Sequence, residues 1–170
     1  VENKSFYKED EPDYVINCIR CLVNESKLNP NKAIIYNSYF PHLLEKLYRE
    51  TKTKIIFLST DCVFSGKKGN YSENSTPDAS SLYAKTKALG EIANKKDITI
   101  RTSFIGPNIG RSSEELFHWF MKQNGTINGY NKVYWTGVST LELAKVIDKI
   151  VKKNIFGIYH LVPDTKISKN

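Results

Sequence analysis

The chain has 170 residues, of which 40% are hydrophobic and 25% charged, and its formal net charge is +7. This length and composition indicate a globular protein of one domain and exclude a disordered chain. Its apolar runs fall short of the roughly 18 residues that a transmembrane helix needs, and its lysines are scattered without an arginine-rich helix, so we expect neither a membrane nor a nucleic-acid partner.

The first half of the chain predicts two strands with a helix between them. Residues 14–17 form a short apolar strand, and a loop follows it. Apolar residues at helical spacing then predict a helix over 29–50. Pro41 is expected to kink that helix or split it in two, because proline lacks the N–H that the helix needs. Residues 55–58 form the second strand, which reads as buried and parallel.

The second half begins with a long loop over 61–80, and a loop of that length in a compact domain is usually functional. The later elements are predicted as a helix at 81–95, a strand at 98–102, a helix at 112–123, a strand at 132–135, a helix from about 139 to 152 and a strand at 157–162. Because strands alternate with helices, the chain predicts an α/β fold with a doubly wound parallel sheet. We find no linker, so residues 1–170 are expected to form a single domain.

Thr60, Tyr83 and Lys87 are the strongest candidates for catalysis. The hydroxyls of Ser59 and Thr60 follow the second strand, and ligands bind at the carboxyl ends of strands in open α/β sheets. Tyr83 and Lys87 are four residues apart and share a helix face, whereas Lys85 points elsewhere. The ammonium is expected to lower the pKa of the phenol, which then donates a proton to a carbonyl. The alternative is a surface tyrosine on an amphipathic helix.

Five stretches follow one another in a fixed order. They are Ser59-to-Gly66, Tyr71-to-Glu73, Pro77, Tyr83-to-Glu91 and Arg101-to-Gly106. The ordered set resembles the extended short-chain dehydrogenase/reductases, and within them the sugar-nucleotide reductases of the dTDP-4-dehydrorhamnose reductase type. The resemblance implies a Rossmann-like fold, NADP(H) or NAD(H) as cofactor, and reduction of a 4-keto group on a nucleotide-activated deoxysugar. Tyr83 is then the general acid, Lys87 also holds the nicotinamide ribose, and Thr60 binds the keto oxygen.

The resemblance also assigns residues that contact cofactor and substrate. The expected cofactor-binding residues, besides Tyr83 and Lys87, are Asn17, Cys18, Asn37, Ser59, Thr102 and Ser103. The expected substrate-binding residues are Asp61, Cys62, Val63, Arg101 and Trp135, and substrate-binding elements are also expected at about 104–140. Two alternatives stay open: Asn17 and Cys18 are a plain strand end without a ligand, and Arg101 either faces a phosphate or pairs with an acid. No metal site is expected, since Asp61 has no partner carboxylate at ligand spacing.

The glycine-rich turn that cradles a dinucleotide's phosphates is absent from the printed sequence. In the family this turn lies upstream of the strand at 14–17. The resemblance therefore implies a partial Rossmann-like domain without its first βαβ units, which we expect to be a piece of a longer protein. The alternative is a chain that has lost cofactor binding.

Two other functions fit the same residues. One is a catalytically inactive regulatory or binding subunit with this fold, and the other is a sugar-nucleotide epimerase, which shares the three catalytic residues. The three cysteines, an odd number, favour a reducing compartment, so we expect a cytoplasmic protein. The Cys18–Cys21 pair lacks the second pair of a zinc ribbon and the helix start of a thioredoxin-like site, and is read as coincidental. A homodimer is a further expectation.

Overall fold

The computed structural model describes residues 11–107 and 116–169. The chain divides into two compact units, Val1–Arg101 with Asn154–His160 and Thr102–Lys153 with Leu161–Asn170. The predicted single domain over 1–170 stays a prediction.

Eight strands and six α-helices are found among the described residues. The strands are β1 (Tyr14–Asn17), β2 (Lys54–Leu58), β3 (Ile98–Arg101), β4 (Phe104–Ile105), β5 (Tyr130–Trp135), β6 (Val138–Ser139), β7 (Gly157–His160) and β8 (Ile167–Lys169). The helices are α1 (Val23–Leu28), α2 (Pro30–Ala33), α3 (Phe40–Tyr48), α4 (Leu82–Leu89), α5 (Leu116–Met121) and α6 (Thr140–Val151), with a π-helical segment at Ile34–Tyr39.

A four-stranded parallel sheet forms the centre of the first unit. Its strand order is β1-β2-β3-β7, and each neighbouring pair is parallel. β2 and β3 lie inside the sheet, which explains why β2 is an almost continuous apolar run. The predicted α/β class with a parallel, Rossmann-like sheet is confirmed. The strand order runs in one direction without a reversal, as in one half of a doubly wound sheet.

The core of this unit lies between α3 and β2. Phe40, Leu44 and Tyr48 recur at helical spacing on α3, so they share one face of the helix. That face packs on Ile55 and Phe57 of β2. The sheet position of β2 is therefore fixed by apolar burial, and its carboxyl end is held at a defined place.

Pro41 does not split the helix in two. Instead α2 continues through the π-helical segment into α3, and Pro41 stands in the first turn of α3. Proline has no N–H, so the carbonyl of Asn37, four residues earlier, receives no helical hydrogen bond from it. π-helical turns are rare, and those that occur inside α-helices are frequently found at functional sites.

The second unit is smaller and mixed. β4 pairs in parallel with β6, and β5 pairs antiparallel with β8. Ser139 caps α6, because its hydroxyl accepts a hydrogen bond from the backbone N–H of Glu142. Of the predicted capping box at the start of this helix, the hydrogen bond from the Glu142 N–H to the Ser139 hydroxyl is confirmed.

Several predicted boundaries were wrong. α1 lies in a predicted loop, and α4 ends at Leu89 rather than near residue 95, because Gly90 caps it. The short strands β4, β6 and β8 were not predicted. The predicted strand at 157–162 ends at His160. The predicted helix at 112–123 is seen only over Leu116–Met121, and its expected start lies outside the described residues.

Candidate active site

The carboxyl end of β2 presents a threonine hydroxyl. Thr60 has an extended backbone and begins a short 3-10 turn over Asp61–Val63. Its Oγ1 accepts a hydrogen bond of 3.2 Å from the backbone N–H of Cys62 and donates to Asp61 Oδ1 at 3.3 Å. The hydroxyl is therefore fixed by its own turn, and the side chain is buried with 6% of its surface exposed.

Helix α4 supplies the phenol and the ammonium. Ser81 caps the helix by accepting a hydrogen bond of 3.2 Å from the N–H of Ala84. Tyr83 and Lys87 both lie on its buried face, whereas Lys85 is exposed. The prediction that Lys87 rather than Lys85 accompanies Tyr83 fits this arrangement.

The side chain of Tyr83 is 8% exposed, and the hydroxyl of Thr60 lies near enough to its phenol to favour the phenolate form. Burial, together with the neighbouring Cys62, raises the pKa of Tyr83 from 10.0 to about 12, while the Thr60 hydroxyl and the charge of Arg20 lower it. The prediction that a lysine ammonium lowers this pKa was wrong in direction, because desolvation of the phenolate outweighs the nearby positive charge. At neutral pH Tyr83 is a neutral phenol, the form that donates a proton.

The ammonium of Lys87 is buried against β2. Its Nζ donates a hydrogen bond of 2.6 Å to the carbonyl of Leu58 and sits 4.1 Å from the ring centroid of Phe57. Burial, with a smaller contribution from Arg20, lowers the pKa of Lys87 from 10.5 to about 7, and Glu91 opposes the shift. Lys87 therefore changes charge near neutral pH.

Folding stability should depend on pH through Lys87. Between pH values of about 7 and 10.5 the unfolded chain keeps the Lys87 proton that the folded chain has released, so the free energy of unfolding gains from rising pH in this window. We expect the free energy of unfolding of the wild type, measured by urea titration, to increase relative to that of Lys87→Met as the pH rises through this window. Lys85→Met is the control, because it removes an exposed lysine from the same helix and leaves the buried one in place. A constant difference for Lys87→Met would contradict the prediction.

Asn37 joins three parts of the first unit. Its Oδ1 accepts a hydrogen bond of 2.8 Å from the N–H of Cys21, and its Nδ2 donates to the Cys21 carbonyl at 3.0 Å and to Thr86 Oγ1 at 3.2 Å. The side chain is fully buried. Direct contact of Asn37 with a cofactor was predicted, but both of its N–H groups are used inside the protein. Asn37 instead holds α4 against the segment that follows β1.

Gly90 lets α4 approach the π-helical segment closely. A Cβ on Gly90 would lie 1.9 Å from the backbone oxygen of Asn37 and 3.3 Å from Pro41. Pro41, which stands four residues after Asn37 and has no N–H, donates no hydrogen bond to this oxygen. Ser38 adds a hydrogen bond of 2.8 Å to the Thr86 carbonyl. These contacts fix the position of the helix that bears Tyr83.

Asn17 has an unused donor at the carboxyl end of β1. Its side chain is 3% exposed, its Oδ1 accepts from the N–H of Ile19, and its Nδ2 has no hydrogen-bond partner among the described residues. Buried amides are normally paired, so this N–H suits a polar ligand such as the predicted nicotinamide cofactor. Cys18, the next residue, is exposed, and Cys21 is buried.

Ser59 and Arg101 belong to one buried network around Glu91. Both carboxylate oxygens of Glu91 accept from Arg101, at 2.8 Å from Nε and 2.7 Å from Nη2, and Ser59 Oγ donates to Oε1 at 2.7 Å. The side chains of Arg101 and Glu91 are 4% and 6% exposed. Arg101 was predicted to bind substrate, with pairing to an acid as the alternative. The structure corrects the first prediction, because a guanidinium enclosed by its carboxylate is not available to a phosphate.

Glu91 ends the Tyr83-to-Glu91 stretch that contributes to the family resemblance, but we predicted no role for it from the sequence. The signal was its spacing, since Tyr83, Lys87 and Glu91 recur every four residues. Arg20 was also missed, although it influences the pKa of both Tyr83 and Lys87. No spacing connects Arg20 to α4, because the two meet only through the fold.

The residues after Thr60 divide between surface and interior. Asp61 is half-buried and Cys62 exposed, so both suit a contact with substrate. Val63 was predicted to do the same, but its side chain is 1% exposed, and its carbonyl accepts from the N–H groups of Asp78 and Ala79. Val63 therefore anchors the long loop rather than touching a ligand.

Three predicted site residues lie in the second unit. The hydroxyl of Thr102 donates to the Leu161 carbonyl at 2.8 Å. The indole N–H of Trp135 donates to Ser103 Oγ at 2.8 Å, and the Trp135 ring lies over Gly137, where a Cβ would be 1.9 Å from the ring. Ser103, predicted to bind the cofactor, and Trp135, predicted to bind the substrate, are thus direct neighbours.

Residues 11–107 and 116–169 contain neither a cluster of metal-binding side chains nor a membrane-spanning helix. No group of three or more His, Cys, Asp or Glu side chains there is arranged to hold a metal ion. None of the helices described is both long and apolar enough to cross a membrane.

The fold and site together define a Rossmann-like α/β protein with a threonine, a tyrosine and a lysine at the carboxyl end of a parallel strand. The sequence pattern of the RmlD substrate binding domain matches residues 2–170. The chain belongs to the RmlD substrate binding domain family.

Individual relatives agree with this assignment. The dTDP-4-dehydrorhamnose reductase of Salmonella typhimurium is 25% identical over 162 residues, which cover 89% of this chain and 54% of that protein. The methionine adenosyltransferase 2 subunit beta of Xenopus laevis is 27% identical over 182 residues, covering 98% and 54%. A crystal structure of a dTDP-4-dehydrorhamnose reductase from Clostridium acetobutylicum superposes with a TM-score of 0.85 at 25% identity, covering 97% of this chain and 61% of that one. The chain spans about half the length of the curated relatives it matches.

Proposed function

We propose that this protein uses NAD(P)H to reduce the 4-keto group of a nucleotide-activated deoxysugar. The observation behind the proposal is the neutral, buried phenol of Tyr83, which lies beside Thr60 at the carboxyl end of β2 with Lys87 one helical turn away. The similarity to the Salmonella typhimurium reductase supports the same activity.

The cofactor supplies the hydride when bound, and the residues of this chain handle the proton. Tyr83 donates its phenolic proton to the keto oxygen as negative charge develops there. Thr60 orients the phenol and the keto oxygen with its hydroxyl. The positive charges of Arg20 and protonated Lys87 stabilise the phenolate that remains, until a proton from solvent restores the phenol.

Other residues have proposed binding roles. Asn17 Nδ2, Cys18 and Lys87 hold the nicotinamide cofactor, and the unpaired Asn17 amide is the observation in their favour. Asp61 and Cys62 contact the sugar. In the second unit, Trp135, Ser103 and Thr102 serve nucleotide or cofactor binding as the resemblance implies. A homodimer and a cytoplasmic location remain predictions.

Two alternatives predict different results. A catalytically inactive regulatory or binding subunit is favoured by the 27% identity to a protein named as a subunit of methionine adenosyltransferase. A sugar-nucleotide epimerase would use the same three catalytic residues, but its reaction would leave the amounts of oxidised and reduced cofactor unchanged.

The test is the stoichiometry of cofactor use by the protein as its source organism produces it. Supplied with NADPH or NADH and dTDP- or UDP-linked 4-keto-6-deoxyhexoses, it should oxidise one reduced nicotinamide for each sugar reduced. Conversion between sugar isomers without net oxidation would support the epimerase. Cofactor binding without conversion of any of these sugars would favour the binding subunit.

A further inference from the structure

The Glu91–Arg101 pair connects the ends of three parallel strands to the catalytic helix. Glu91 lies just beyond Gly90, at the end of α4. Arg101 ends β3, and its Nη1 donates to the Glu73 carbonyl at 3.2 Å and lies 3.4 Å from His160 Nε2 at the end of β7. Ser59 brings the end of β2 into the same network.

The contact with Ser59 is the one closest to the chemistry. Ser59 directly precedes Thr60, and its backbone N–H donates to the Ile100 carbonyl of β3 at 2.7 Å. Its hydroxyl donates to Glu91, so backbone and side chain are held from two directions. A displacement of this strand end would move Thr60 relative to Tyr83.

Stability alone does not account for an ion pair at this place. Burying two charges is costly, and well-packed apolar side chains of similar volume often replace such pairs without loss of stability. The bidentate geometry instead gives directional constraint, since two parallel N–H···O bonds fix the guanidinium and carboxylate planes.

We propose that Glu91 is a positioning residue, which through Arg101 and Ser59 holds Thr60 in its productive place against Tyr83. This proposal rests on the proposed function of the same site. Glu91 also influences Lys87, because its negative charge favours the protonated form of the ammonium. The charged groups that act on Lys87 are Arg20, from the segment after β1, and Glu91, while β2 offers only the Leu58 carbonyl and the Phe57 ring.

The first test is Glu91→Gln, which keeps a hydrogen-bonding side chain of the same length and removes its charge. We expect kcat to fall by about 10- to 100-fold, with KM changed much less, because misplacement by an ångström costs on that order. We also expect the alkaline limb of the kcat profile to move to lower pH, since Lys87 loses the carboxylate that favours its protonated form. A merely structural role would lower the amount of folded protein and leave the pH profile in place.

Asp148→Asn is the matched control, because Asp148 forms an exposed pair with Lys152 at 2.7 Å. It should change neither kcat nor the pH profile. Ser59→Ala is a second variant that keeps the buried pair and removes only the link to the strand end, and it should lower kcat by about 3- to 10-fold. If Glu91→Gln does not fold, Ser59→Ala decides the question.

Wild-type kcat and an unmoved pH profile in folded Glu91→Gln, or wild-type kcat in Ser59→Ala, would overturn the proposal while leaving the proposed function intact. Lack of turnover in the wild type would instead overturn the proposed function. In that case the amide of Cys62, which donates to Thr60 Oγ1, is the readout. It should exchange its hydrogen faster in Ser59→Ala than in Asp148→Asn, and equal rates would overturn the positioning role.

Discussion

Tyr83→Phe is expected to lower kcat by about 100- to 10,000-fold, the range that a positioned general acid contributes. The substitution removes one oxygen and keeps the ring, which is 8% exposed and packed at the start of α4. At most one hydrogen bond is lost with the hydroxyl, so the free energy of unfolding should fall by no more than about 1.5 kcal/mol. Cofactor binding should persist. The measurement is kcat with a 4-keto nucleotide sugar, beside urea unfolding and cofactor titration.

Tyr39→Phe is the control for this experiment. Tyr39 ends the π-helical segment, and 55% of its surface is exposed, so loss of its hydroxyl should affect neither turnover nor stability. If Tyr83→Phe turns over nearly as fast as the wild type, Tyr83 is not the proton donor. If instead a partner enzyme's activity depends on this protein and is unchanged by Tyr83→Phe, the binding-subunit alternative gains.

Gly90→Ala is expected to destabilise the protein by about 3 kcal/mol, the upper part of the range for overpacking a rigid interior. The new Cβ would meet the backbone oxygen of Asn37 at 1.9 Å, and a backbone atom cannot rotate away as a side chain does. The φ angle of Gly90 is −86°, which alanine adopts freely, so the loss comes from the contact and not from backbone strain.

The displaced helix bears Tyr83 and Lys87, so Gly90→Ala should also reduce kcat in the fraction that folds. Leu89→Ala is the control, since Leu89 is the neighbouring residue, is 69% exposed, and should change stability by about 0.5 kcal/mol or less. The measurement is urea unfolding of both variants. Equal stabilities would show that α4 does not depend on this close approach.

The features that the sequence allowed us to predict are those with a local signal. β2 is a short apolar run, and Tyr83 and Lys87 share a helix face because they are four residues apart. α1 escaped prediction because it has no such signal: Leu22 stands at its N-cap, and no side chain there accepts a hydrogen bond.

The features that could not be predicted are contacts formed only by the fold. Glu91 pairs with Arg101, but among 18 acidic and 25 basic residues no spacing identifies that partnership. The same holds for Gly90 and the Asn37 carbonyl, which lie 53 positions apart in sequence. The direction of the Tyr83 pKa shift was also mistaken, because burial depends on the whole neighbourhood, whereas the sequence shows only the lysine nearby.

The central claim is that this site directs hydride to a sugar carbonyl and a proton to its oxygen. The most direct test incubates the protein, as its source organism makes it, with dTDP- and UDP-linked 4-keto-6-deoxyhexoses and reduced cofactor deuterated on either face of the nicotinamide. Mass spectrometry of the sugar should then show one deuterium at the former keto carbon from one face of the cofactor, and none with Tyr83→Phe in the same time. A reduced sugar without deuterium from either face, or no reduced sugar at all, would contradict the account.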